Sequence, residues 1–291
     1  MAAIKHITRR HTRVTIKFAF TNPAWFCLFL FPGGAGYDHR MKCIVHIFFA
    51  VILLTGFVPG VHAAELTNEK ILQDFNIIAF GNEYTLKRYD NVRKWRGPIR
   101  IGIQGEKYPA YFEAFVKQHI RDLWNLTGHP IELYYSHNMQ KKGELARDFN
   151  AAKVNFILYY LPIAEIPGAV AKYFDNDPAK VRKMIEVSTC FAKFFTRKNE
   201  ITAAIAVFPD VRPRDQMRAC VVEELTQVLG LANDSSDVNP SIFNDTSPYF
   251  ELTDHDRWML KMFYDPRITA GMPRDQALAI GRQILNEIRP E

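Results

Sequence analysis

Residues 220–234 read CVVEELTQVLGLAND, and the spacing of their side chains decides how the rest of the chain is read. A helix advances about 100° per residue. With Met217 at zero, Val221, Leu225 and Val228 fall near about 40°, 80° and 20°, an apolar stripe of the kind that faces a core. Glu223 and Gln227, near about 240° and 280°, share one edge a turn apart, where two side chains can converge on one object. Glu224 falls near about 340°, inside the apolar arc between Cys220 and Val228. A carboxyl among apolar neighbours resists ionisation, so its pKa is expected to rise. Gly230, the residue most able to take a left-handed backbone, stops the helix.

Outward from this helix, periodicity supplies the other elements. Ile71, Leu72, Phe75 and Ile78 recur at helical spacing within 67–85, as do Phe112, Phe115, Val116, His119 and Leu123 within 108–126. PIRIGIQG, PIELYYS, NFILYYLP and EITAAIAVFPD read as four strands, and RKWRGP between the first helix and the first strand reads as a basic turn. A further helix is expected from Pro178 to Phe195. Thr253 caps the next-to-last helix and Pro273 opens the last. Interleaved helices and strands predict an α+β domain, a mixed twisted sheet of about four strands packed with helices, with the motif helix lining a cleft.

The N-terminus reads as a leader. From Met41 the chain runs MKCIVHIFFAVILLTGFVPGVHA, a short positive start, an apolar stretch and a small-residue end. That is the layout of a signal peptide at 41–63, with cleavage after Ala63. Residues 1–40 are then expected to be a mis-assigned extension ahead of the true start, and 64–291 a single domain. Residues 1–63 hold seven Lys/Arg against one acid, so the whole net charge of +6 lies there and the remainder is balanced. A basic balance confined to a leader is no nucleic-acid footprint. The expected product is exported, periplasmic or secreted, with no stable membrane anchor after cleavage. Two cysteines remain beyond the leader, Cys190 and Cys220, and one pair in an exported chain is most simply one disulfide.

The stretch 220–234 resembles the metal-binding helix of the metzincin branch of the zinc proteases. There Glu223 and Gln227 stand where that family has its first two histidines, Glu224 matches its general base, Gly230 its glycine turn and Asn233 its third histidine. SIFND, with Phe243 in place of the turn methionine, and LTDHDRWMLKMFYD are similar to the segments that follow in that family. The chain over roughly residues 97–272, with strong motifs only from 220 on, also resembles an uncharacterised family of bacterial exported proteins, a domain of unknown function. The resemblance implies a zincin-like fold and export, and brings no activity with it.

The departures govern the chemistry. Zinc takes imidazole or thiolate and keeps three protein ligands at catalytic sites. Glu223, Gln227 and Asn233 offer oxygen alone, which suits calcium or magnesium and argues against zinc. A calcium cage from Asn233, Asp234, Asp237 and Asn239 is the other metal arrangement, although such clusters ordinarily make turns. His119, His129, His137 and His255 lack ligand spacing and read as packing or surface residues. Two functions remain. One is a degenerate zincin that binds a peptide or an envelope protein without catalysis, and it is favoured because losing three imidazoles removes the Lewis acid. The other is a hydrolase in which Glu224 activates water as general base, helped by Glu223, Gln227, a hard cation, or an acid among Asp234, Asp245 and Asp254.

Overall fold

The structure, a computed structural model, describes residues 66–83, 87–105, 107–244 and 246–291. The chain falls into two units, Met1–Val61 and His62–Glu291, and the first lies outside the described residues, as does the leader at 41–63.

Thr67 accepts a hydrogen bond from the Lys70 amide and starts α1, Asn68–Phe80, which buries Ile71, Leu72, Phe75 and Ile78. Strand β1 is Lys94–Trp95 and β2 is Ile99–Gln104. Helix α2, Ala110–Thr127, ends where Gly128 turns left-handed, and leads into β3, Ile131–Tyr135. Ser136 caps α3, His137–Lys142; β4 then covers Phe156–Leu161 and α4 covers Ile166–Val170. Asp177 accepts from the amides of Ala179 and Lys180 to start α5, Pro178–Val187. Strands β5, Phe191–Arg197, and β6, Glu200–Pro209, follow, then α6, Arg214–Gln227. A capping box between Thr253 and Asp256 opens α7, Asp254–Tyr264, and α8 is Arg274–Ile288.

The strands form one sheet in the order β1-β6-β4-β2-β3, parallel throughout, with β5 added antiparallel to β6. Alternation along β6 shows how the sheet is buried. Ala204, Ala206 and Phe208 enter the main core with α1, α2, α6, α7 and α8, while Ile205 and Val207 enter a second core beneath α4 and α5. The sheet is therefore covered on both faces, and the chain is an α+β domain.

Two segments depart from the sequence reading, and together they give the sheet six strands instead of about four. The helix expected to run to Phe195 stops at Val187, and Phe191–Arg197 is β5. A two-residue turn, Lys198-Asn199 with φ of 51° and 65°, folds β5 back on β6. Positive φ at both positions matches the right-handed twist of the strands it joins. The Cys190–Cys220 disulfide is present, with Cα atoms 5.8 Å apart, but Cys190 lies immediately before β5 and not on a helix. The bridge ties the edge strand to α6.

The second departure is RKW. These residues are no solvated turn: Arg93, Lys94 and Trp95 are 4%, 7% and 3% exposed. Each reaches the C-terminal end of a different helix. Arg93 Nη2 donates to the carbonyls of Ala79 and Gly81 at the end of α1. Lys94 Nζ donates to Phe263 and Ile268 at and beyond the end of α7, both at 2.8 Å. Trp95 Nε1 donates to Val228, the residue after α6, at 2.8 Å. Helix ends leave carbonyls without intrahelical partners and carry partial negative charge, so cations and N–H donors are stabilising there. Burial still acts on the two charges, lowering Arg93 to about 10 and Lys94 to about 8.

Candidate functional site

Helix α6 and the turn after it hold the residues singled out by the sequence. Gly230 adopts φ +117°, and a Cβ there would lie 2.2 Å from the Arg93 carbonyl oxygen, so the turn passes hard against β1 and excludes a side chain. The Tyr264 hydroxyl donates to the Leu229 carbonyl at 2.9 Å, next to the Trp95 bond to Val228. The C-terminal end of α6 is thereby fixed from two sides.

Glu224 is 4% exposed, and its Oε2 is buried with no hydrogen-bond partner. Burial drives its carboxyl well above the ordinary range, and the negative charges of Glu223, Glu83 and Asp234 add to the effect. Burial thus favours the protonated acid over the carboxylate. Gln227 is also buried, and its Nε2 donates to Asp234 Oδ1 at 2.9 Å. Asn233 is turned to α1, where its Nδ2 donates to the Ile77 carbonyl at 3.3 Å. The helical edge thus carries Glu223 and Gln227 together, while Asn233 is engaged with another helix. Asp237 and Asn239 are exposed, and Asp245 lies outside the described residues.

The donor set does not fit zinc, since no histidine stands on this edge. His119, at 4% exposure, holds Thr226 Oγ1 at 2.9 Å, and burial lowers it to about 3. His255 is buried 3.2 Å from Asp74. Among the described residues no three His, Cys, Asp or Glu side chains converge as a metal-holding group. The downstream segments serve packing and anchorage. Phe243 is wholly buried in the main core. Asp256 accepts from Ser241 Oγ at 2.5 Å and from the Ile242 and Thr253 amides at 3.2 and 2.8 Å, clamping the SIFND turn onto α7.

Beside α6 lies a hollow of about 350 Å³. Gln227 and Val228 form one wall, and Ala192, Lys193 and Phe194 of β5 form the opposite one. Three consecutive strand residues on one hollow place the strand's edge against it, because successive side chains point to opposite faces. Among the described residues β5 is paired on one side only, with β6. Arg93 and Tyr89 also line the hollow, with the guanidinium 3.5 Å from the Tyr89 ring centroid and 5.2 Å from that of Phe194. Glu224 does not line it. Sequence reasoning missed Arg93, Lys193 and Phe194 here; the signal was there in RKW, a basic tripeptide built around a tryptophan.

Glu224→Gln tests the protonated state. As pH rises through the ordinary carboxyl range the unfolded chain releases this proton and the folded protein keeps it. Stability contributed by the buried acid is therefore lost with rising pH, at up to about 1.4 kcal/mol per pH unit, until the folded carboxyl also ionises. The glutamine variant is expected to lack this component of the pH dependence and to be more stable than the parent by about 1–3 kcal/mol at the alkaline end of the window. Urea midpoints of both proteins across the window check this, and parallel curves would show that Glu224 is ionised in the folded state.

Fold and site together define an α+β domain whose central helix and antiparallel edge strand enclose a groove. The chain belongs to the family described as protein of unknown function (DUF2927), whose model matches residues 68–283. Among curated proteins and among solved structures nothing matches the chain.

Proposed function

We propose that the protein is an exported, zincin-like domain that holds an extended peptide, presented by an envelope protein, in the groove between α6 and β5 without cleaving it. The observation that carries this reading is the placement of Glu224. The residue that corresponds to a general base is buried, with burial favouring its protonated form, and does not line the hollow, whereas Gln227 and the open edge of β5 border it. A protonated acid cannot take a proton from water. An unpaired strand edge offers backbone N–H and C=O groups to an added strand, and Phe194 and Lys193 supply side-chain contacts. Export is supported by the signal-peptide layout of residues 41–63 and by the Cys190–Cys220 disulfide.

A panel of extended peptides offered to the purified protein tests the reading. Bound peptides are expected to be recovered intact and to protect the amides of 192–196 from hydrogen exchange. Phe194→Ala is expected to weaken binding by about tenfold, equivalent to about 1.4 kcal/mol. Peptide cleavage that Glu224→Gln abolishes would establish the hydrolase instead, and a panel with no binder would end the peptide reading.

A further inference from the structure

A second hollow, also about 350 Å³, lies across α6 from the groove, where α2, α6 and the start of α7 meet. Its rim and floor carry Arg121 and His119 of α2, Arg218 of α6, and Arg257 of α7. The charges do not cancel. Glu251 is paired with Arg218, and Asp122 accepts from Gln118 Nε2 at 3.0 Å. Arg121 donates to the neutral Gln118 Oε1. Arg257 is half-buried, and its guanidinium has neither an ion pair nor a hydrogen bond among the described residues.

His119 does not compensate for it. Thr226 Oγ1 gives its own proton to the Val222 carbonyl at 2.5 Å, so it accepts from His119 Nε2–H, and burial favours the neutral ring. The Arg257 guanidinium lines the hollow with its donors not committed to any described protein group, so they are open to a ligand that enters it. The fork of donors suits an oxyanion, which it can bind through two parallel hydrogen bonds. The remaining lining is apolar, from Phe115, Val222 and Leu252, and Arg218 already lies over the Phe115 ring at 5.8 Å from its centroid.

From the unpaired Arg257 in a half-apolar hollow we infer that this pocket binds a small organic oxyanion, a carboxylate or phosphate ester. Its charged head meets Arg257 and its apolar body rests on Phe115, Val222 and Leu252. A bare inorganic ion would fill the charged end and leave the apolar part wet. The site is separate from the peptide groove, and neither assignment depends on the other.

Titration calorimetry of the purified protein with phenyl phosphate, benzoate and inorganic phosphate provides the test. Saturable binding of at least one of the two organic probes is expected, with inorganic phosphate weaker by about tenfold or more. Arg257→Gln is expected to abolish it while leaving peptide binding unchanged. Should that variant fail to fold, Ala114→Trp, an exposed rim position on α2, is expected to block the pocket sterically and give the same loss. Binding that survives both substitutions, no binding of either organic probe, or inorganic phosphate bound as tightly as phenyl phosphate would each overturn the assignment.

Discussion

Replacing Trp95 by alanine is expected to destabilise the domain by about 4–5 kcal/mol, enough to unfold many proteins of this size. Two losses add. Removing a fully packed indole leaves a cavity that costs about 3–5 kcal/mol. The Val228 carbonyl, buried and served by Trp95 Nε1 at 2.8 Å, then loses its donor, at about 1 kcal/mol or more. Trp95→Phe separates the two, since it keeps most of the volume and drops the donor, and a loss of about 1–2 kcal/mol is expected. Denaturant unfolding of the three proteins settles the matter. A loss below about 1 kcal/mol for the alanine variant would mean that the indole is not the fixed core element described above.

Removing the disulfide is the second large effect. The bridge closes 30 residues, and in the chain-entropy model that constraint on the unfolded state is worth about 3.5 kcal/mol. A Cys190→Ser, Cys220→Ser double variant is expected to lose that much, read as a fall in the denaturant midpoint. The position of the bridge gives a second readout. Cys190 immediately precedes β5 and Cys220 lies on α6, so the covalent link joins the two elements whose residues border the groove. Peptide affinity should therefore fall under reducing conditions that leave the rest of the fold intact, while the anion pocket between α2, α6 and α7 should be indifferent. Equal peptide affinity in oxidised and reduced protein would separate the bridge from the groove.

Most helices were legible because their apolar spacing and end signals agree. Thr67, Gly128, Asp177 and Thr253 each mark a terminus with a side chain or backbone suited to it. Strands β2, β3, β4 and β6 were legible as short apolar runs. Strand β5 was not: Phe191, Phe194 and Phe195 mimic the three- and four-residue spacing of the preceding helix, and Lys198-Asn199 is a weak written signal for a tight hairpin. Strand β1 was hidden for a different reason. Charges normally mark solvated turns, and Arg93 and Lys94 are buried against helix-end carbonyls, those of Arg93 on the preceding helix and those of Lys94 distant in sequence. The candidate site divides along the same line. Helical angles placed Glu224 inside and Gln227 on a polar edge, because that depends on α6 alone. That Asn233 bonds to α1, and that the facing wall is a strand edge, depends on the assembled fold.

The tripeptide at 93–95 also bears on when the chain can acquire its structure. Trp95 bonds to Val228, 133 residues further on, Lys94 bonds to Phe263, 169 further on, and Asn68 at the start of α1 bonds to Arg289. A nascent segment ending before α7 contains the acceptors of Arg93 and Trp95 but none of those that hold the buried Lys94 ammonium. Contacts of such long separation form late, after the costly closure of large loops. A polypeptide held together in this way stays threadable while it is being synthesised, and locks only once its last helices have emerged, on whichever side of a membrane they do so.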